Sequence, residues 1–115
     1  MRISMLALSI PFLIASLAAP SAFSAEASTK ITSPADGAKL DAMAQNKMTY
    51  EVVPGPKGDH VHVYVDGKEQ AVLRQLKGSY TFETMTGGAH DICIKIVNKG
   101  HTPIGVDKCI KVTVE

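Results

Sequence analysis

Two histidines stand two residues apart in the stretch Gly58-Asp59-His60-Val61-His62-Val63-Tyr64-Val65-Asp66-Gly67. On an extended strand such a pair projects from one face with about 6.6 Å between the side-chain origins, close enough for both imidazoles to converge on one ion. The chain carries four histidines in all, the others being His90 and His101. His101 falls in Asn98-Lys99-Gly100-His101-Thr102-Pro103-Ile104, a loop able to bring a third imidazole down onto the pair. His60, His62 and His101 are therefore the candidate metal ligands, with Asp59 or Asn98 as the residues to complete the shell. Imidazole donors suit a zinc or copper ion, and Met43, Met48 or Met85 would contribute only to Cu(I). The plainer alternative leaves His60 and His62 solvated on an exposed sheet face and His101 as a hairpin-tip residue. His90 reads as a histidine hydrogen-bonded to its own loop.

Other chemistries find little to build on. The chain has no GxSxG, HExxH or phosphate-binding loop, and no nucleophile is placed beside Asp59-His60, so an enzyme is not expected. A blue-copper site would need His and then Met soon after a late Cys, whereas Ile-Lys-Val-Thr-Val-Glu follows Cys109. Cys93 and Cys109, the two cysteines, lack CxxC spacing and a neighbouring His, which favours a disulfide over a pair of metal thiolates.

The histidine strand must be held by others of its kind. Val61, Val63 and Val65 alternate with His60, His62 and Tyr64, the period of a strand with one buried face, and Asp66-Gly67 closes it with a tight turn. Similar short runs fall at about 29–32, 47–53, 70–74, 79–84, 89–97 and 105–114, separated by turn residues such as Ser33-Pro34-Ala35-Asp36-Gly37 and Pro54-Gly55-Pro56-Lys57-Gly58. Residues 39–45 read either as an irregular edge strand or as a loose turn. The pattern predicts an all-β domain, an immunoglobulin-like antiparallel β-sandwich of about seven strands.

Folding the last hairpin about His101 sets Cys93 opposite Cys109 on the outward face, within disulfide reach. In the same topology the strands at 60–66, 89–97 and 105–114 are neighbours in one sheet. His60, His62 and His101 then share one end of the sandwich. His90 lies about 20–25 Å away at the other end, outside any common site.

The N-terminus reads as an export signal. Met1-Arg2 is followed by an apolar run from Ile3 to Ala19, then by small residues at Ala22-Phe23-Ser24 and Ala25-Glu26-Ala27. A signal peptide over 1–27 and a single domain over 28–115 follow, with a periplasmic or secreted product and no membrane insertion after cleavage. A retained membrane anchor is the weaker reading, because the run is short. Export makes the Cys93–Cys109 disulfide the default. The chain has 12 Lys and Arg against 11 Asp and Glu with no basic stripe, so nucleic acid and anionic lipid are poor partners.

Ser33-Pro34-Ala35-Asp36-Gly37-Ala38, His60-x-His62-x-x-x-Asp66-Gly67, Gly88-x-His90 and the late His101 occur in that order. Together they resemble the small exported bacterial domains of domain-of-unknown-function family 4399, over about residue 31 to the end. The resemblance implies an exported immunoglobulin-like sandwich and carries no activity with it. The functional expectation is an exported binding or accessory module with a histidine-based copper or zinc site. A module of another class is the alternative: a metal-free partner of an envelope protein, using an exposed sheet face or an edge strand.

Overall fold

The computed structural model describes residues 25–115. Residues 1–24, which hold most of the expected signal peptide, lie outside the described residues. Eight strands follow in order: β1 (Ser28–Ser33), β2 (Ala38–Leu40), β3 (Lys47–Val53), β4 (His60–Val65), β5 (Lys68–Leu73), β6 (Lys77–Thr81), β7 (Gly88–Val97) and β8 (Pro103–Val114). They form a three-stranded sheet, β1-β3-β6, and a five-stranded sheet, β2-β8-β7-β4-β5.

Alternation in the sequence becomes the two faces of these sheets. Val61 and Val63 of β4, Ile92, Ile94 and Ile96 of β7, and Ile110, Val112 and Val114 of β8 point inward from the large sheet. Met48, Tyr50 and Val52 of β3 meet them from the small one. Burying these side chains supplies most of the driving force, at about 1.5–3 kcal/mol for each large aliphatic residue. The fold is the expected sandwich, with β4, β7 and β8 adjacent as the topology requires.

The last hairpin has the expected register, with Cys93 directly paired to Cys109 and the two bonded across a Cα separation of 4.1 Å. Nearer its tip the pairing shifts between Lys95 and Val97, and Val97 pairs with Pro103. The shift leaves a short loop of residues 98–102 at the end of the hairpin.

Three details refine or differ from the sequence expectation. The stretch at 39–45 opens within an edge strand, β2, which runs parallel to β8 and covers 39–40, and turns beyond it, so each of the two readings holds for part of it. The turn before it is tied to β8: Gly37 N–H donates to the Lys111 carbonyl (2.7 Å), and Lys111 N–H donates to Asp36 Oδ1 (2.8 Å). Once the turn is held there, the chain continues alongside β8. Lys77-Gly78, which fall in the gap expected to be a turn between the runs at 70–74 and 79–84, belong instead to β6, where Gly78 pairs with Tyr50. Finally, β5 begins at Lys68 directly after a turn in which Asp66 (φ 52°) and Gly67 (φ 81°) are both left-handed, the conformation of a tight type I′ hairpin.

Candidate metal centre

β4 lies between β7 and β5, and its outer face carries His60, His62 and Tyr64. That face was expected to be exposed, but His60 is 1% and His62 4% exposed. The reason is tertiary. Val97, paired with His60 on β7, is itself fully buried, and the 98–102 loop carries the His101 ring onto the pair. The His101 ring centroid lies 4.7 Å from that of His60 and 5.1 Å from that of His62.

The loop is built to hold that ring in place. Asn98 N–H donates to the Thr102 carbonyl (2.9 Å), and His101 N–H donates to the Asn98 carbonyl (2.9 Å). The Asn98 carboxamide oxygen accepts from Gly100 N–H (2.9 Å) and Thr102 N–H (3.0 Å). Within this frame His101 adopts a left-handed backbone, φ 66°. Such a conformation is uncommon for a residue with a side chain, and it persists because the loop over-determines it.

The ring nitrogens converge. His60 Nε2 lies 3.2 Å from His62 Nε2 and 3.2 Å from His101 Nδ1, and the last two are 3.0 Å apart. Three nitrogens bound to zinc at about 2.0–2.1 Å in a tetrahedral arrangement lie about 3.3–3.4 Å from one another. The triangle is within a few tenths of an ångström of that. Among the described residues, His60, His62 and His101 are the group whose donor atoms gather this closely.

The backs of the two buried rings are occupied as well. His60 Nδ1 meets Asp59 Oδ2 at 2.9 Å, and His62 Nδ1 meets Glu69 Oε1 at 2.8 Å. An ionised carboxylate only accepts, so the proton sits on Nδ1 of each ring and the inward Nε2 presents a lone pair. Asp59, expected as a possible ligand, is therefore a backing residue. Asn98, the other candidate, is spent on its own loop.

The electrostatics follow from these contacts. The His60 hydrogen bond, helped by the charges of Lys99 and Arg74, holds the Asp59 carboxyl below the usual carboxylate range. Arg74 Nη1 lies 3.8 Å from Asp59 Oδ2. Burial depresses His62, the neighbouring rings of His60 and His101 add to this, and Glu69 opposes it. A depressed His62 is neutral at pH 7, which is the form that ligates metal.

Two local devices aim the backing carboxylates. Gly58 precedes Asp59 in a turn where its N–H donates to the Pro54 carbonyl, and a Cβ there would lie 2.3 Å from that oxygen and 2.6 Å from Ile96 Cγ2. Only glycine fits. Asp59 N–H then donates to the Val97 carbonyl at 2.8 Å, which fixes the start of β4. On the other side, the Asp66-Gly67 turn pairs Val65 with Lys68 and Tyr64 with Glu69, so Glu69 falls on the histidine face. A bulge follows, Val63 pairs with Ala71, and Gln70 turns to the Tyr80 hydroxyl. The role of Glu69 went unread in the sequence, although the two-residue turn is enough to place it opposite Tyr64.

His90 stands apart, as the topology predicts. Its Nε2 meets the Thr86 carbonyl at 2.6 Å and its Nδ1 meets Asp66 Oδ2 at 2.5 Å, at the opposite end of β4. Two acceptors on one ring call for the doubly protonated form. The Asp66 hydrogen bond first, and the Thr86 carbonyl second, raise its pKa above the ordinary value.

No family profile matches this chain, and no curated protein matches it. Solved structures do. The fibronectin(III)-like modules of CbhA from Clostridium thermocellum are similar to it at 18% identity and a TM-score of 0.64, over 76% of this chain and 96% of that one. An engineered protein matches at 20% identity and a TM-score of 0.55, over 81% of this chain and 21% of its own. An extracellular domain from B. thetaiotaomicron matches at 14% identity and a TM-score of 0.56, over 81% of this chain and 16% of its own. At these identities the likeness is one of fold: a fibronectin- or immunoglobulin-like sandwich.

Proposed function

We propose that this chain is an exported binding module that holds one transition metal ion, zinc or copper, on His60 Nε2, His62 Nε2 and His101 Nδ1. The observation that carries the reading is the convergence of these nitrogens at 3.0–3.2 Å with carboxylates behind two of the rings. The inward Nε2 lone pairs of the buried His60 and His62 face one another and repel, and a cation between them turns that repulsion into coordination. Carboxylate–histidine–metal relays of this kind orient the ring and strengthen it as a donor. Two carboxylates in the second shell also offset the charge of a divalent ion. The donor set is all nitrogen, with Met48 in the core and Met43 in the β2–β3 connection, so Zn²⁺ and Cu²⁺ fit better than Cu(I).

The disulfide supports an oxidising compartment, and among the described residues no helix is long and apolar enough to cross a membrane. With the signal expected over 1–27, the periplasm or the exterior is the place of work, and capture or delivery of the ion is the role. The resemblance to domain-of-unknown-function family 4399 belongs to the same reading. Docking to an envelope protein by strand addition at the β5 edge is less favoured. That edge carries a bulge and the charged residues Lys68, Glu69 and Arg74, which discourage pairing.

The test is elemental analysis and metal titration of untagged, disulfide-bonded protein. One equivalent of Zn²⁺ or Cu²⁺ is expected to bind, with strong loss in His62→Ala and His101→Ala and little change in His90→Ala. Absence of binding at micromolar metal would return the histidines to a purely structural role. Equal loss in His90→Ala would show that the ion sits elsewhere.

A further inference from the structure

The size of the nitrogen triangle says more than that an ion fits. Its edges are 3.2, 3.2 and 3.0 Å, so its centre lies about 1.8 Å from each nitrogen, less than the about 2.0–2.1 Å of a zinc–imidazole bond. With the nitrogens as they are arranged here, an ion at that distance would stand off their plane, at the apex of a pyramid, with its far side turned away from all three rings. A planar three-coordinate site would need edges of about 3.5 Å.

Among the described residues, the donor groups beside the cluster are already engaged. The carboxylates nearest the cluster, Asp59 and Glu69, are engaged with the far nitrogens of His60 and His62. The Asn98 oxygen accepts two backbone N–H groups of its own loop. No fourth His, Cys, Asp or Glu among the described residues joins the cluster. His101 is exposed while the two rings beside it are buried, so the cluster meets solvent at His101.

We infer that a metal ion bound here keeps one coordination position for a ligand from outside the chain, a single nitrogen or oxygen donor that exchanges with water. The inference rests on the metal-binding reading above and adds to it. A site closed by four protein ligands is structural, whereas three histidines and an exchangeable position make a site that takes part in ligand exchange. For a carrier, that position is where an incoming imidazole or carboxylate bonds to the ion before a protein histidine lets go. A free small molecule and a side chain of an acceptor protein present the same chemistry to it.

Cobalt(II) reports both steps, because its visible absorption depends on the number and kind of its ligands. Mature disulfide-bonded protein is titrated with Co²⁺, and the loaded protein is then titrated with azide, with free imidazole and with a short histidine-containing peptide. One equivalent of Co²⁺ should give the intense bands of a four-coordinate ion. Azide and imidazole should each shift those bands saturably, without releasing the metal. A response to the peptide with no release would show that the position also admits a side chain, and release of cobalt that follows such a band shift would show hand-over through it. Both support the inference. Tyr64→Phe and His90→Ala should respond as the parent does. Four-coordinate bands that azide and imidazole leave unchanged would overturn the inference while leaving the metal site intact, because a protein group would then hold the fourth position. Failure to bind Co²⁺, Zn²⁺ or Cu²⁺ at all would overturn the metal reading and this inference with it.

Discussion

Glu69 Oε1 stands 2.8 Å from His62 Nδ1, across a hairpin whose turn is only Asp66-Gly67. The contact joins a surface carboxylate, half exposed, to a ring that is almost completely buried. Because His62 Nδ1–H donates to Glu69, the ring presents its Nε2 lone pair toward His60 and His101. A local hairpin therefore sets the polarity of a ligand that meets His60 on its own strand and His101 from a loop 39 residues away.

If that polarity matters, removing the backing charge should weaken the site without dismantling it. Glu69→Gln and Asp59→Asn keep shape and remove charge. Each is expected to lower Zn²⁺ affinity about 10–100-fold, the usual cost of losing a carboxylate behind a ligating histidine. Competition titration against a chelator of known affinity measures this. Unchanged affinity in both variants would leave the two carboxylates as surface partners only.

The His90 bridge predicts a pH dependence of stability with a definite sign. An unfolded histidine titrates near about 6.5, and in the folded protein the value is raised, so the folded state binds the proton more tightly. The contribution is complete below about pH 6.5 and is lost as pH rises through the higher folded value. Urea unfolding of metal-free protein across that range should show wild type losing stability relative to His90→Gln as pH increases. A parallel pH profile for the two proteins would mean that the bridge does not form in solution.

Val63 and Tyr64 are adjacent and face opposite ways, Val63 fully buried in the core and Tyr64 partly exposed beside His62. Val63→Asp places a charge between the sheets and is expected to cost several kcal/mol, enough to unfold a domain of this size. Tyr64→Ser should cost far less. Chemical denaturation followed by circular dichroism compares them, and the reverse order would mean the faces of β4 are exchanged.

Gly58 offers a test of how the site is aimed. Gly58→Ala puts a methyl group against the Pro54 carbonyl and Ile96, with an expected loss of about 1–3 kcal/mol from overpacking. Since Asp59 follows directly, metal affinity should fall too. Stability falling with affinity untouched would show that the turn does not set the position of Asp59.

The Cys93–Cys109 bond closes a segment with a sequence separation of 16, for which loop closure contributes about 3 kcal/mol. Cys93→Ser combined with Cys109→Ser should lower the urea midpoint accordingly. Intact mass should be two protons lighter in the native protein than after reduction. Two free thiols in exported protein would contradict the hairpin register.

What the chain determined by itself was whatever depends on neighbours in sequence. Alternation of Val61, Val63 and Val65 with histidines makes a strand in any context, because successive side chains leave an extended backbone on opposite sides. Asp66-Gly67 folds β4 back on β5, and the loop around His101 folds the last hairpin in a register that places Cys93 against Cys109. Joined to the immunoglobulin-like strand order read from the pattern, that register puts His60, His62 and His101 at one end and His90 at the other. Tertiary structure decided the rest. Burial of His60 and His62 depends on the 98–102 loop lying over the outer face and on a fully buried Val97 beside them, neither of which has a periodic signature. Which nitrogen of each ring points inward depends on Asp59 and Glu69 at their backs, and a ring nitrogen carries no sign of that choice in the residue's name. The strand β2 exists because the turn before it is hydrogen-bonded to Lys111, seventy-five residues from Asp36. Local patterns are written in the chain because backbone geometry repeats residue by residue, whereas convergence of side chains is settled only when distant strands and loops are packed together.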